Sequence, residues 1–199
     1  MKALLIVDIQ NDFLPGGSLA VEKGDTIISV INKIQENYDL VVATQDWHPY
    51  NHKSFASQHQ GKELFEQIQL FELDQTLWPD HCVQGSYGAE FSSKLNQDKI
   101  EAVFRKGMNP DIDSYSGFFD NGKKKSTGLG DYLKGRGVDK VDVCGLAADF
   151  CVYFTAVDSL EMGFQTQIIE NAVKAINPEN FEILKEEFHK KGGKVLTIM

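Results

Sequence analysis

The chain has 199 residues with 20 Lys and Arg against 29 Asp and Glu, a formal net charge of −9. That length suits a single domain over residues 1–199 and is short for two, and the acidic balance repels nucleic-acid phosphates and anionic membrane surfaces, so neither is an expected partner. The first apolar run, Ala3 to Val7, meets Asp8 too early for a secretory signal or a membrane span, and three irregularly spaced cysteines (Cys82, Cys144, Cys151) do not suit a secreted disulfide framework; a soluble, cytoplasmic protein with reduced thiols is expected.

Short apolar runs predict strands near residues 3–7, 39–45, 100–105, 140–145, 165–169 and 194–198. Helical or loop stretches separate them, which predicts an α/β fold around a mostly parallel six-stranded sheet. Between the first two strands, Ile27, Ile31 and Ile34 share one helical face, with Asp25 placed to cap its start. Near the end, Asn177-Pro178 opens a helix with Phe181, Leu184 and Phe188 on one side, and Gly192-Gly193 closes it. Two stretches exceed a minimal crossover: 47–98, with Trp47 and Trp78, and 107–127, with Tyr115, Gly117 and Phe118. Excursions of that length are usually functional or disordered, and their aromatics predict ordered pocket walls. The Lys123-Lys124-Lys125 run reads as a solvated loop.

In an open parallel sheet, ligands bind beyond the carboxyl ends of the strands, where strand order reverses. Asp8 ends the first strand, Asp46 and His48 follow the second, Lys106 ends the third and Cys151 follows the fourth. All five are predicted to face one crevice. Cys151 falls in the first turn of the next helix, where unpaired N–H groups and the helix dipole favour a thiolate of lowered pKa. A thiol needs a proton acceptor and a buried carboxylate needs a cation, and Asp8 and Lys106 supply those needs. Cys144, inside an apolar strand, reads as core.

Asp46-Trp47-His48 and Trp78-Pro79-Asp80-His81-Cys82 form a second constellation. In extended chain, residues i and i+2 point to the same side, so Asp46 and His48 are placed to grip one ion, with His81 as third ligand. That donor set suits zinc first, with iron or manganese as alternatives, and leaves positions open for water or substrate. His52 reads as a partner behind the ligands, His59 as solvated, Asp80 as loop polarity and His189 as facing a favourable helix dipole. Cys82 competing with His81 for the ion is the weaker reading.

Five blocks in order, Val7-Asp8-Ile9-Gln10-Asn11-Asp12-Phe13, Asp46-Trp47-His48-Pro49, Trp78 to Gly85, Phe104-Arg105-Lys106-Gly107 and Gly145 to Val152, resemble the nicotinamidases of the isochorismatase-like hydrolase family. Gly16-Gly17-Ser18-Leu19 and Asp113-Ser114-Tyr115-Ser116-Gly117-Phe118 extend the resemblance over nearly the whole chain. It implies a three-layer α/β/α fold and a metal-containing cysteine amidohydrolase of NAD salvage that converts nicotinamide to nicotinate and ammonia. It implies Asp8 as general base and later acid, Lys106 as cation, Cys151 as nucleophile, and Asp46, His48 and His81 as ligands of one divalent ion. Phe13 and Trp78 become walls around a pyridine ring, joined by Tyr115. A cis Leu146–Ala147 bond would aim the Ala147 N–H, with that of Cys151, at an oxyanion. Asp149 is read as a helix cap.

A homo-oligomer is compatible with this reading. Three rivals remain: a carbamoyl or ureido amidohydrolase of the same family, a non-catalytic metal-binding module, and a flavodoxin-like cofactor binder. The last requires a phosphate loop where Gln10 to Pro15 is acidic and bulky.

Overall fold

The computed structural model describes residues 1–198. Its strands are β1 (Lys2–Val7), β2 (Leu40–Asp46), β3 (Gln67–Leu70), β4 (Leu73–Thr76), β5 (Ile100–Lys106), β6 (Lys140–Leu146), β7 (Gln165–Lys174) and β8 (Lys194–Leu196), and its α-helices are α1 (Ile28–Ile34), α2 (Leu129–Gly135), α3 (Tyr153–Glu161) and α4 (Pro178–Lys190). Six strands form one parallel sheet in the order β5-β2-β1-β6-β7-β8, while β3 and β4 make a separate antiparallel hairpin. The chain steps outward from β1 through β2 to β5, then returns to β6 on the other flank of β1. Strand order therefore reverses beside β1, and the carboxyl ends of β1 and β6 flank the resulting crevice.

Side chains alternate across the pleat of β1 and divide the core into two layers. Ala3, Leu5 and Val7 pack with Leu133, Tyr153, Phe181 and Phe188 from α2, α3 and α4. Leu4 and Ile6 pack on the opposite face with Ile28, Ile31 and Ile34 of α1. The result is the expected three-layer arrangement, and each Leu, Ile, Val or Phe side chain taken out of water contributes about 1.5–3 kcal/mol before entropy is counted.

Local signals held unevenly. Asn177 Oδ1 accepts from the Asn180 N–H at 3.1 Å and Pro178 opens α4, as predicted. Asp25 caps nothing: it sits within a 3₁₀ turn, Gly24–Ile27, that precedes α1. Asp149 also fails as a cap of its own turn, because its carboxylate instead accepts from the N–H groups of Ile176 and Asn177 at 2.9 and 2.8 Å. It ties the segment after β7 to the nucleophile turn. β1 and β6 approach so closely that a Cβ on Gly145 (φ +118°) would lie 2.0 Å from the Val7 carbonyl oxygen. Only glycine fits there. No helix among the described residues is long and apolar enough to cross a membrane.

Candidate active site

Beyond the carboxyl edge of the sheet, two carboxylates, a thiol and a backbone carbonyl gather on one ammonium. Lys106, the last residue of β5, is buried, and its Nζ lies 3.0 Å from Asp8 Oδ2, 3.0 Å from Asp46 Oδ1, 2.9 Å from the Ser114 carbonyl oxygen and 3.4 Å from Cys151 Sγ. A buried cation must find acceptors, and these four surround it. Asp8 follows β1 in a left-handed conformation (φ 49°), which Asp tolerates better than most residues. Its other oxygen accepts from Thr44 Oγ1 at 2.7 Å. Cys151 enters on a π-helical turn, Ala148–Val152, leading into α3.

The electrostatics correct one expectation. Burial pushes the Cys151 thiol well above its usual pKa; Lys106 pulls the other way but does not prevail. Burial thus opposes the lowering of the thiol pKa expected from the helix start. Burial likewise raises the Asp8 carboxyl, with Lys106 only partly offsetting it. Lys106 itself stays charged, because Asp46 and Asp8 outweigh the burial that opposes its charge.

Beside this cluster stand Asp46, His48 and His81, whose ligand atoms all lie within 4.8 Å of one another. His48 Nδ1 is 2.9 Å from the Gly107 carbonyl oxygen, and His81 Nδ1 is 2.8 Å from that of Pro79. Each carbonyl needs an N–H, which leaves both Nε2 lone pairs aimed at Asp46 Oδ2, 3.1 and 3.5 Å away. Lone pairs facing a carboxylate call for a cation between them. An ion about 2.0–2.1 Å from each of two tetrahedral ligands separates them by about 3.4 Å, so the spacing fits. Burial disfavours a His48 cation, yet Asp46 raises the imidazole pKa, the mark of a place that attracts positive charge. The ligand segments are stitched together, with the His48 N–H donating to the Cys82 carbonyl and the Gln84 N–H to that of His48 at 3.0 and 2.8 Å. A Cβ on Gly107 (φ +65°) would lie 2.3 Å from His48 Cε1.

A narrow cleft opens onto both groups, lined by Phe13, Trp78, His81, Tyr115, Ala147 and Cys151 together with Asp113 and Phe150. Trp78 meets Phe150 edge to face at 4.9 Å and donates from Nε1 to the Tyr115 hydroxyl at 3.3 Å. The Leu146–Ala147 peptide is cis.

All sequence-predicted site residues converge here, but several neighbours depart from expectation. Trp47 stacks beneath Arg105, 3.9 Å from ring centre to Cζ, and Phe118 belongs to the core; neither lines the cleft. His59 is half-buried with Nε2 2.7 Å from the Lys53 carbonyl oxygen, because its loop folds back over it. Lys123 pairs with Asp158 and Glu161 and is not merely solvated. Cys82 is buried and Cys144 lies in the core.

Thr44, Ser114 and Asp113 were not singled out for the site; the resemblance carried Ser114 and Asp113 only as part of a block. His52 lies behind His48, ring centroids 4.3 Å apart, and with His48 and Asp113 forms a second close set of donor atoms.

An isochorismatase domain signature matches residues 2–199. The chain belongs to the isochorismatase family. Among its relatives, an Escherichia coli nicotinamidase is 49% identical over 88% of this chain and 84% of its own. A solved Acinetobacter baumanii nicotinamidase/pyrazinamidase is 46% identical, covers 98% of this chain and 95% of its own, and superposes with a TM-score of 0.96. A Pyrococcus horikoshii pyrazinamidase solved in complex with zinc is 39% identical, covers 99% of each chain and has a TM-score of 0.81. The two solved structures share the fold described here over nearly their whole length.

Proposed function

We propose that this enzyme hydrolyses nicotinamide to nicotinate and ammonia through a thioester on Cys151, a step of NAD salvage. The observation that carries the reading is the Lys106 ammonium shared by Asp8 and Cys151, with the Cys151 side opening onto an aromatic cleft. Nicotinamidases at 49% identity support the substrate.

Asp8 takes the Cys151 proton, and its burial-raised pKa makes it a competent base for a thiol that burial has also weakened as an acid. The sulfur then attacks the carboxamide carbon. The carbon–nitrogen bond breaks as Asp8 returns the proton to departing ammonia, leaving the acyl group on sulfur. Water attacks the thioester carbon as Asp8 removes one of its protons; the carbon–sulfur bond then breaks, Asp8 returns that proton to sulfur, and the acid leaves as nicotinate with its proton lost to solvent. The N–H groups of Ala147 and Cys151 hold the oxyanion, and loss of one such donor costs about 2.7–4 kcal/mol in related chemistry. Phe13, Trp78 and Tyr115 clamp the ring and fix the distance to sulfur. Lys106 keeps a positive charge beside every anion that forms.

Asp46, His48 and His81 would hold one divalent ion, zinc by donor chemistry with iron or manganese as alternatives, which would supply Lewis acidity beside the cleft. Residues 1–199 form one domain in this reading, supported by a single signature over residues 2–199. Three free cysteines and a net charge of −9 support a reducing cytoplasmic setting with neither nucleic acid nor membrane as partner, whether as monomer or homo-oligomer.

Incubating purified protein with nicotinamide tests the reading, with ammonia, nicotinate and bound metal measured on one sample. Stoichiometric nicotinate and ammonia are expected. Turnover of a ureido substrate in place of nicotinamide, undiminished by chelation, would overturn it.

A further inference from the structure

We propose that Gln10 is a positioning residue that fixes Asp46 at once as an ion ligand and as a partner of Lys106. The inference rests on the reading of Asp46, His48 and His81 as a cation site. Gln10 is fully buried, two residues beyond Asp8. Its Nε2 donates to the carbonyls of Asp46 and Ala89, both at 2.8 Å, and its Oε1 accepts from the Asp46 N–H at 2.8 Å. One carboxamide thus brackets both backbone polar groups of a single residue, much as a neighbouring strand would.

That residue is where β2 ends, and its carboxylate serves two masters. Oδ1 faces Lys106 at 3.0 Å, while Oδ2 faces the imidazoles of His48 and His81. Rotation of the Asp46 backbone would loosen both sets of contacts together. The bracket demands glutamine chemistry: an ionised Glu lacks the donor, and Met lacks the donor and offers only a weak sulfur acceptor. Asp12, two residues further on, does the matching task for the other ligand segment, accepting the Cys82 N–H on Oδ2 at 2.7 Å just after His81. The base and the anchors of the cation site are thereby built from alternate positions of one short segment, Asp8 to Asp12.

The test uses Gln10→Met, close in size and without the hydrogen bonds. Zinc affinity is measured on metal-stripped protein by competition with a chromogenic chelator, and kcat and KM for nicotinamide are measured at saturating zinc. Outer-sphere partners of ligands typically carry about 10–100-fold in affinity or activity; at least tenfold weaker zinc binding is expected, with a tenfold lower kcat that saturating zinc does not restore. A packing role alone predicts a lower melting temperature with zinc affinity and kcat within twofold of the parent, and that result would overturn the inference. Should Gln10→Met fail to fold, Gln10→Glu keeps the length and the acceptor and carries the test by the same criteria. A parent protein that binds no zinc would instead overturn the cation-site reading beneath it.

Discussion

Lys106 holds its ammonium 3.4 Å from Cys151 Sγ, yet burial keeps the thiol pKa above its usual value. One cation divided among two carboxylates and a sulfur does not offset the loss of water around that sulfur. The thiol waits for a base.

The sign of that shift sets the pH dependence of chemical modification. A thiol whose pKa is raised gains thiolate only as pH climbs, so iodoacetamide labelling of Cys151 should accelerate continuously from about pH 6 to about pH 9. Cys82 and Cys144 are buried away from the cleft and should remain unlabelled in the folded protein. Peptide mass spectrometry checks both statements, and rapid labelling near pH 6 would contradict the first.

Cys151→Ala should lower kcat by at least about 10³-fold, the scale on which removal of a nucleophile acts. Zinc content should stay at the parental level, since the sulfur is not among the three grouped ligands. Metal analysis beside the activity assay separates the two effects.

Replacing Lys106 by Met leaves Asp8 and Asp46 buried against each other without their shared cation. Breaking a buried pair from one side costs about 3–5 kcal/mol, as the remaining charge is stranded. Urea unfolding should show a loss of that order together with loss of turnover. An unchanged midpoint would mean that the carboxylates had taken up protons at little cost.

Gly107→Ala places a methyl group 2.3 Å from His48 Cε1 on a backbone of φ +65°. Strain at such a site costs about 1–3 kcal/mol, and His48 must shift. Zinc affinity should fall by at least about tenfold, measured by chelator competition, with Gly137→Ala as control, where φ is +72° but no atom lies within 4 Å.

Stripping the protein with a strong chelator should abolish nicotinamide turnover, and added zinc should restore it. Activity that survives chelation, with metal absent by elemental analysis, would detach Asp46, His48 and His81 from the reaction.

Much of this molecule was legible because chain order becomes spatial order in a parallel sheet. Apolar runs located all six sheet strands, and the residues at their carboxyl ends, Asp8 just after β1 and Lys106 closing β5, located the crevice. The β3–β4 hairpin was not legible. Its turn residues Phe71 and Glu72 both adopt positive φ, 50° and 67°, without the Asn-Gly or Asp-Gly pair that advertises such a turn. β7 runs to Lys174, beyond the expected end at 169, because pairing resumes after a register shift, with Val143 opposite Ile168 and Gly145 opposite Val173. Thr44 and Ser114 escaped notice since a hydroxyl inside an apolar strand and a backbone carbonyl leave no pattern in sequence. The direction of the Cys151 pKa is hidden for a related reason: the helix start is visible in sequence, and the depth of burial around it is not.

Base and nucleophile descend from neighbouring strands paired without interruption from Lys2↔Lys140 to Val7↔Gly145. Their spacing is inherited from this central strand pair, whereas Trp78 and Tyr115 hang from the two long excursions. Diversification of those excursions could therefore retune which amide is accepted while the bond-breaking apparatus stays untouched, so selectivity and reactivity are free to evolve on separate schedules.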